Sequence, residues 1–157
     1  GPADDWKGTD FEEYVYADAQ WVKYQRSRKP EDLDLFAALL LRPVSLMAWL
    51  RNDVDKRLVF NPQKAESRLH VTRRMSHASK YALFLWWEGC RNKQTKIRKR
   101  VFGGGGSGKS GGSMLDVMMN MSKDIFGSSD ATRRVNVKIA LARLEQLLKQ
   151  AEEIENT

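Results

Sequence analysis

Apolar positions recur at intervals of three and four along most of the chain, the period of amphipathic helices. Phe11, Tyr14, Val15 and Val22 follow this spacing, with Ala19 and Gln25 on the same face. Ahead of them, Thr9-Asp10-Phe11-Glu12 has the form of a capping box with Thr9 as N-cap. Pro30 ends this helix or opens the next, because proline is favoured at a first helical position. Glu31, Asp32 and Asp34 then place negative charge on a first turn, where the macrodipole favours it. Leu33, Leu35, Phe36, Leu39 and Leu40 surround this second helix almost completely, which predicts a central, buried element stopped by Arg42-Pro43.

Val44–Leu50 is too short for its length to decide between helix and strand. Leu58-Val59-Phe60 followed by Asn61-Pro62 reads as an extended stub ending in a turn. A basic helix is predicted over Lys64–Met75 and a long one over Ser76–Arg100. The long one carries a stripe of Ala78, Tyr81, Ala82, Leu85, Trp86, Gly89 and Cys90, beyond which the sequence turns basic and the last turns are exposed or frayed.

Gly103–Ser113, GGGGSGKSGGS, is a flexible linker by composition. After it, Met114–Phe126 gathers Leu115, Met118, Met119 and Met121, and Gly127–Asp130 forms a turn able to cap a final helix. There Val137, Ala140, Leu144, Leu147, Ala151 and Ile154 make a seam shorter than three heptads, which suits a helix packed on a core as well as a coiled coil. The expected architecture is all-α. A cleavage scar at residues 1–2 precedes a helical domain over 3–102, the linker spans 103–113, and a helical segment over 114–157 packs on the first part. The linker is natural or engineered, and Met114 directly after it would suit the start of a second reading frame.

The 157 residues suffice for one core without staples. A single cysteine excludes an intramolecular disulfide framework and fits a reducing, cytoplasmic setting. The longest apolar runs, Leu35–Leu41 and Tyr81–Trp87, fall far below the roughly 20 residues of a membrane helix, and nothing resembles a signal peptide. No membrane association is expected. The net charge of +7 is uneven: residues 1–60 carry −2, residues 61–102 carry +9, and residues 103–157 are neutral.

The formal match to a phosphate loop, Gly103 through Gly108-Lys109-Ser110, lies inside the linker. It lacks a hydrophobic strand before it, since Lys96–Arg100 is basic, and Gly111-Gly112 oppose the helix that should follow. A P-loop NTPase is therefore the third reading. His70 and His77 stand two helical turns apart, beyond the spacing that shares one ion, and Cys90 falls on the apolar stripe. The residues imply no cofactor, metal or catalytic group.

Two surfaces remain. A polyanion could be held by Arg68, Arg73, Arg74, Arg91, Lys93, Lys96, Arg98, Lys99 and Arg100, with Trp86, Trp87 and Tyr81 available for base stacking if exposed. The alternative for these cations is solvation, or pairing with the acidic residues of 1–34. A protein partner could be held by Met114, Leu115, Met118, Met119, Leu144, Leu147 and Trp86, because methionine-rich apolar surfaces adapt to partners. Plain core packing is the alternative there.

Asp34–Pro43 (DLFAALLLRP) and Ala82–Arg91 (ALFLWWEGCR), with a glycine-rich stretch before a C-terminal helical part, resemble tail-assembly chaperone-type accessory proteins of tailed phages and prophages. The resemblance covers two short patches and transfers no site residues. It implies a non-enzymatic helper that binds a long, apolar, tape-measure-like partner during assembly. The expectation is thus a protein-binding assembly factor, with a nucleic-acid-binding module using residues 68–100 as the competing reading.

Overall fold

The computed structural model describes residues 4–50, 55, 57–102, 118 and 128–155. Within them the fold is all-α. A tight turn at Asp4–Trp6 precedes α1 (Phe11–Ser27), α2 (Pro30–Leu40), α3 (Leu46–Leu50), α4 (Gln63–Thr72), α5 (His77–Ile97), α6 (Lys99–Phe102), α7 (Ser129–Arg134) and α8 (Val137–Glu155). Only isolated bridges, Asp10 with Asn136 and Val44 with Arg57, add extended pairing among these residues.

α2 is the central helix. Pro30 opens it, Glu31 and Asp32 occupy its first turn, and Leu33, Phe36, Ala37, Ala38, Leu39 and Leu40 are all buried. α1, α4 and α5 pack around it. Arg28 makes the turn between α1 and α2 in the left-handed conformation, φ 53°, and its N–H donates to the Tyr24 carbonyl. The core is aromatic: Trp87 lies 4.9 Å from Trp6, 5.8 Å from Tyr14 and 5.9 Å from Phe36 between ring centroids. Phe84 packs against Trp21, Tyr24 and Phe36 in the same way.

Several local expectations are corrected. Thr9 is not the N-cap of α1. Asp10 holds that position without a side-chain cap, and the Thr9 carbonyl instead accepts from the Val137 N–H at 3.0 Å. In α1, Ala19 is exposed, while Ala17, Gln20, Trp21 and Tyr24 are buried. In α5 the inward face is Lys80, Phe84, Trp87, Cys90 and Gln94, so Ala78, Ala82, Leu85 and Gly89 face outward. Of the expected stripe, Cys90 is buried and Tyr81 and Trp86 are half-buried against the core, so the inward face is rotated toward Phe84 and Trp87. α5 also continues as helix past Cys90 to Ile97, with Gln94 buried. In α8 the seam holds at Val137 and Ala140, weakens to half-burial at Leu144 and Leu147, and ends in exposed Ala151 and Ile154.

Residues on either side of the glycine-rich stretch share this core. Val137, Ala140, Leu141 and Met118 are buried in the same cluster as Trp6, Phe11 and Trp87. Phe11 N–H donates to the Val135 carbonyl at 2.8 Å, and Asn136 Nδ2 reaches the carbonyl of Lys7 at 2.8 Å, with longer contacts to those of Trp6 and Thr9. These bonds hold a turn in which Asp5 and Trp6 both adopt left-handed backbone, φ 55° and 57°. Such a conformation is unfavourable for residues with a Cβ and needs surrounding contacts to fix it.

Candidate functional site

The feature that sequence periodicity could not show is a buried charge network at the C-terminal end of α2. Glu13 sits on α1 with no exposed surface, and it meets the guanidinia of Arg42 and Arg57, whose side chains are 2% and 3% exposed. Arg42 Nη2 donates to Glu13 Oε2 at 2.7 Å and to Asp55 Oδ2 at 2.7 Å. Arg57 Nη1 donates to Glu13 Oε1 at 2.8 Å and to the Leu40 carbonyl at 2.9 Å. Its Nε and Nη2 fork the Asp55 carboxylate, both at 2.9 Å.

Burial pushes the Glu13 carboxyl up to about 7, against the opposing pull of the two arginines. Asp55, better solvated and held by Arg57, is lowered. Gly8 belongs to this construction because a Cβ there would come within 2.8 Å of the Asp55 Cβ. The approach of Asp55 to the backbone requires a residue with no side chain at that position.

The network fastens both ends of one connection. Arg42 also donates to the Leu58 carbonyl, and Leu58 N–H donates to the Pro43 carbonyl at 2.8 Å. Between these fixed ends the chain carries α3 outward. Val44, Leu46, Met47, Leu50, Leu58 and Val59 are all exposed, Leu46 and Leu50 by about three quarters (76% and 75%). Apolar surface left in water on this scale forgoes about 1.5–3 kcal/mol per large side chain fully buried. Six such residues on one short connection are an unusual concentration.

Beside the connection, Phe60 turns inward and pairs with Tyr16 of α1 at 6.0 Å. The two rings, with Glu12, Asn61, Pro62, Gln63 and Arg133, line an open, mainly polar groove of about 590 Å³. Burial raises the carboxyl of Glu12 despite the nearby Arg133. What this region offers is an apolar ridge next to a mainly polar groove floored by two rings. Its carboxylate at the centre, Glu13, is committed to two guanidinia.

The basic run of residues 61–102 is divided by the fold. α5 separates the Arg73–Arg74 turn from Arg91, the first of Arg91–Arg100, by about 20 Å of helix. Arg68 Nε donates to the Ala38 carbonyl. Arg91 pairs with Asp18 at 2.9 Å and stacks over Trp21 and Phe102. Lys93 pairs with Asp5, Arg98 bonds Gln94 and the Lys138 carbonyl, and Arg100 pairs with Glu145 and Glu152 of α8. Lys80, also in this run, is buried against Asp34. Arg73, Arg74, Lys96 and Lys99 are exposed, with no side-chain partner among the described residues.

No family model, curated protein or solved structure matches the chain. The arrangement of side chains therefore has to speak for itself. Among the residues nominated for a protein partner, Met118 is buried in the core, and Leu144 and Leu147 are half-buried along α8. Trp86 is half-buried and, with Leu85, Gly89 and Cys90, lines a shallow apolar groove of about 320 Å³. Met114, Leu115 and Met119 lie outside the described residues, as does the glycine-rich stretch with Lys109.

Lys99–Phe102, immediately ahead of that stretch, is a helical turn, where a phosphate loop requires a strand. His70 contacts the Ser67 carbonyl and His77 stacks on Tyr81. No cluster of three or more metal-ligating side chains occurs among the described residues. No helix there is long and apolar enough to cross a membrane.

The ridge was missed because Val44–Leu50 read simply as an apolar segment of undecided type. The one signal that could have exposed it is the run Val44–Leu50, apolar but for Ser45, standing between two arginines, Arg42 and Arg57, that the pattern alone would place in water.

Proposed function

We propose that this chain is a non-enzymatic helical binding protein that engages a protein partner through the ridge of Val44, Leu46, Met47, Leu50, Leu58 and Val59 and the adjoining groove floored by Tyr16 and Phe60. The reading rests on one observation: six exposed apolar side chains sit on a connection whose two ends are fastened by a buried ion network. Fixing the ends limits the ordering entropy that binding must overcome, which favours recognition by a preformed surface. The partner such a surface fits is an amphipathic segment, whose apolar side chains lie on the ridge while its polar ones face the groove. An assembly chaperone that shields an apolar client, as the phage-type resemblance implies, has the same requirement.

The test is site-specific photocrosslinking of the full chain in native extract. A crosslinker at position 46 or 50 is expected to give a discrete adduct, and one at Ile154, equally exposed at the far end of α8, is not. Adding Leu58→Ser to the chain labelled at 50 should diminish that adduct. Identical products from 50 and 154, or none from either ridge position, would overturn the reading.

A further inference from the structure

We infer a second interaction surface, a basic pole at the end of the bundle opposite the ridge, that holds the phosphate backbone of a nucleic acid without reading its bases. Two turns meet there. α1 and α5 run antiparallel, since Trp21 and Tyr24 pack on Phe84 while Tyr14 and Asp18 meet Trp87. α4 and α2 are antiparallel as well, with Ala65 beside Leu39 and Arg68 on Ala38. The α1–α2 turn and the α4–α5 turn therefore lie at the same end of α2, where Lys80 meets Asp34.

From the first turn Arg26, Arg28 and Lys29 are exposed, and from the second Arg73 and Arg74. Arg28 lies over the Tyr24 ring, and the other four side chains have no ion-pair or hydrogen-bond partner among the described residues. Carboxylates do not neutralise the group. Asp32 is taken by Lys23 and Ser27, Asp34 by Lys80, and Glu31 is the acid left exposed between the turns. Five cations against one acid make a local field far stronger than the chain's net charge suggests.

Four of the five are arginines, whose planar fork suits phosphate oxygens. The nearby rings are not free for base stacking: Tyr24 is buried, and Tyr81 is half-buried between His77 and Phe84. Of the large apolar side chains around the two turns only Val71, just ahead of the second, is exposed among the described residues, and one valine is too little to anchor the pole beneath lipid headgroups. These features favour a sugar–phosphate backbone over a bilayer.

The experiment is fluorescence anisotropy of the full chain with a labelled DNA duplex of about two helical turns, at salt between about 50 and 200 mM. Engagement of most of the five cations predicts a log–log salt slope of about −3 to −4. Arg28→Gln, Arg73→Gln and Arg74→Gln should each reduce that slope by about 1. Glu31→Gln should tighten binding, a gain that a merely structural role would not produce. The double variant Lys96→Gln/Lys99→Gln, at the other end of α5, should leave the slope unchanged, and thermal melts establish that each variant is folded. The inference is overturned by absence of binding at the lowest salt, by loss confined to the 96/99 variant, or by binding to phosphatidylserine–phosphatidylcholine vesicles but not to duplex.

Discussion

Arg57 Nη1 donates to Glu13 Oε1 at 2.8 Å across 44 residues of sequence, and neither side chain is more than 3% exposed. That bond joins α1 to the return strand of the apolar ridge, so the stability of the bundle and the posture of the ridge share one contact.

Replacing Arg57 by methionine keeps much of its volume and removes the fork. At pH 8 the Glu13 carboxylate is then left buried with Arg42 alone, and the expected loss is about 3 kcal/mol. The loss should shrink as pH falls through the range in which Glu13 takes up a proton, because a neutral carboxyl needs no second guanidinium. Urea denaturation at pH 8 and pH 5 measures both values, and an equal loss at the two would contradict the assignment.

Glu13 itself sets a pH dependence whose sign follows from its environment. Burial holds its folded value at about 7 against an ordinary 4.5, so the native chain binds more protons than the unfolded chain between those limits. Its contribution to stability therefore falls as pH rises from 4.5 to about 7 and is constant above. Glu13→Gln does not titrate. The stability of the native chain relative to this variant should drop by on the order of 3 kcal/mol over that window. A difference that stays flat from pH 4.5 to 8 would be inconsistent with a titrating Glu13.

Gly89 lies within α5 and a Cβ added there would meet nothing within 4 Å. Gly89→Ala should therefore stabilise the chain by about 1 kcal/mol through helix propensity alone. Thermal melting of the single variant checks this, and a lower midpoint would mean that the space beside Trp86 is needed by the fold.

Asn136 satisfies the backbone carbonyls of Trp6, Lys7 and Thr9, in and just after the left-handed turn. Asn136→Ala is expected to cost about 1–2 kcal/mol. Hydrogen exchange should show the change at residues 6–11 and 135–141 before it appears in α2. Uniform deprotection across the bundle would instead point to a global effect.

Much of the helical framework was legible because its punctuation is local. Pro30 opens α2, Ser76 caps α5 by accepting from the Ser79 N–H, and Ser128 caps α7 by accepting from Ala131. What could not be read is polar burial. Lys80, Gln94, Glu13, Arg42 and Arg57 look like surface residues in a one-dimensional pattern, and each has a partner 29 to 89 residues away. Once Lys80 and Gln94 are inside, the inward face of α5 shifts to Phe84 and Trp87, and Ala78, Ala82, Leu85 and Gly89 of the predicted stripe turn outward. The basic run misled for the same reason: contiguous in sequence, it is spread along α5 and largely drawn into internal pairs. Of the candidate surfaces, only the Arg73–Arg74 portion was visible beforehand. Its neighbours Arg26, Arg28 and Lys29 come from a stretch whose net charge is negative.

The bonds from Asn136 to the Asp4–Trp6 turn span up to 130 residues. Contacts that distant form late, because the entropy of closing the loop must be met before they return anything. α1, α2 and α5 can collapse on their own aromatic contacts while Trp6 still waits for Val137 and Leu141. In order of folding, residues 4–9 belong with α8, and until it docks one flank of the tryptophan core stands open to solvent.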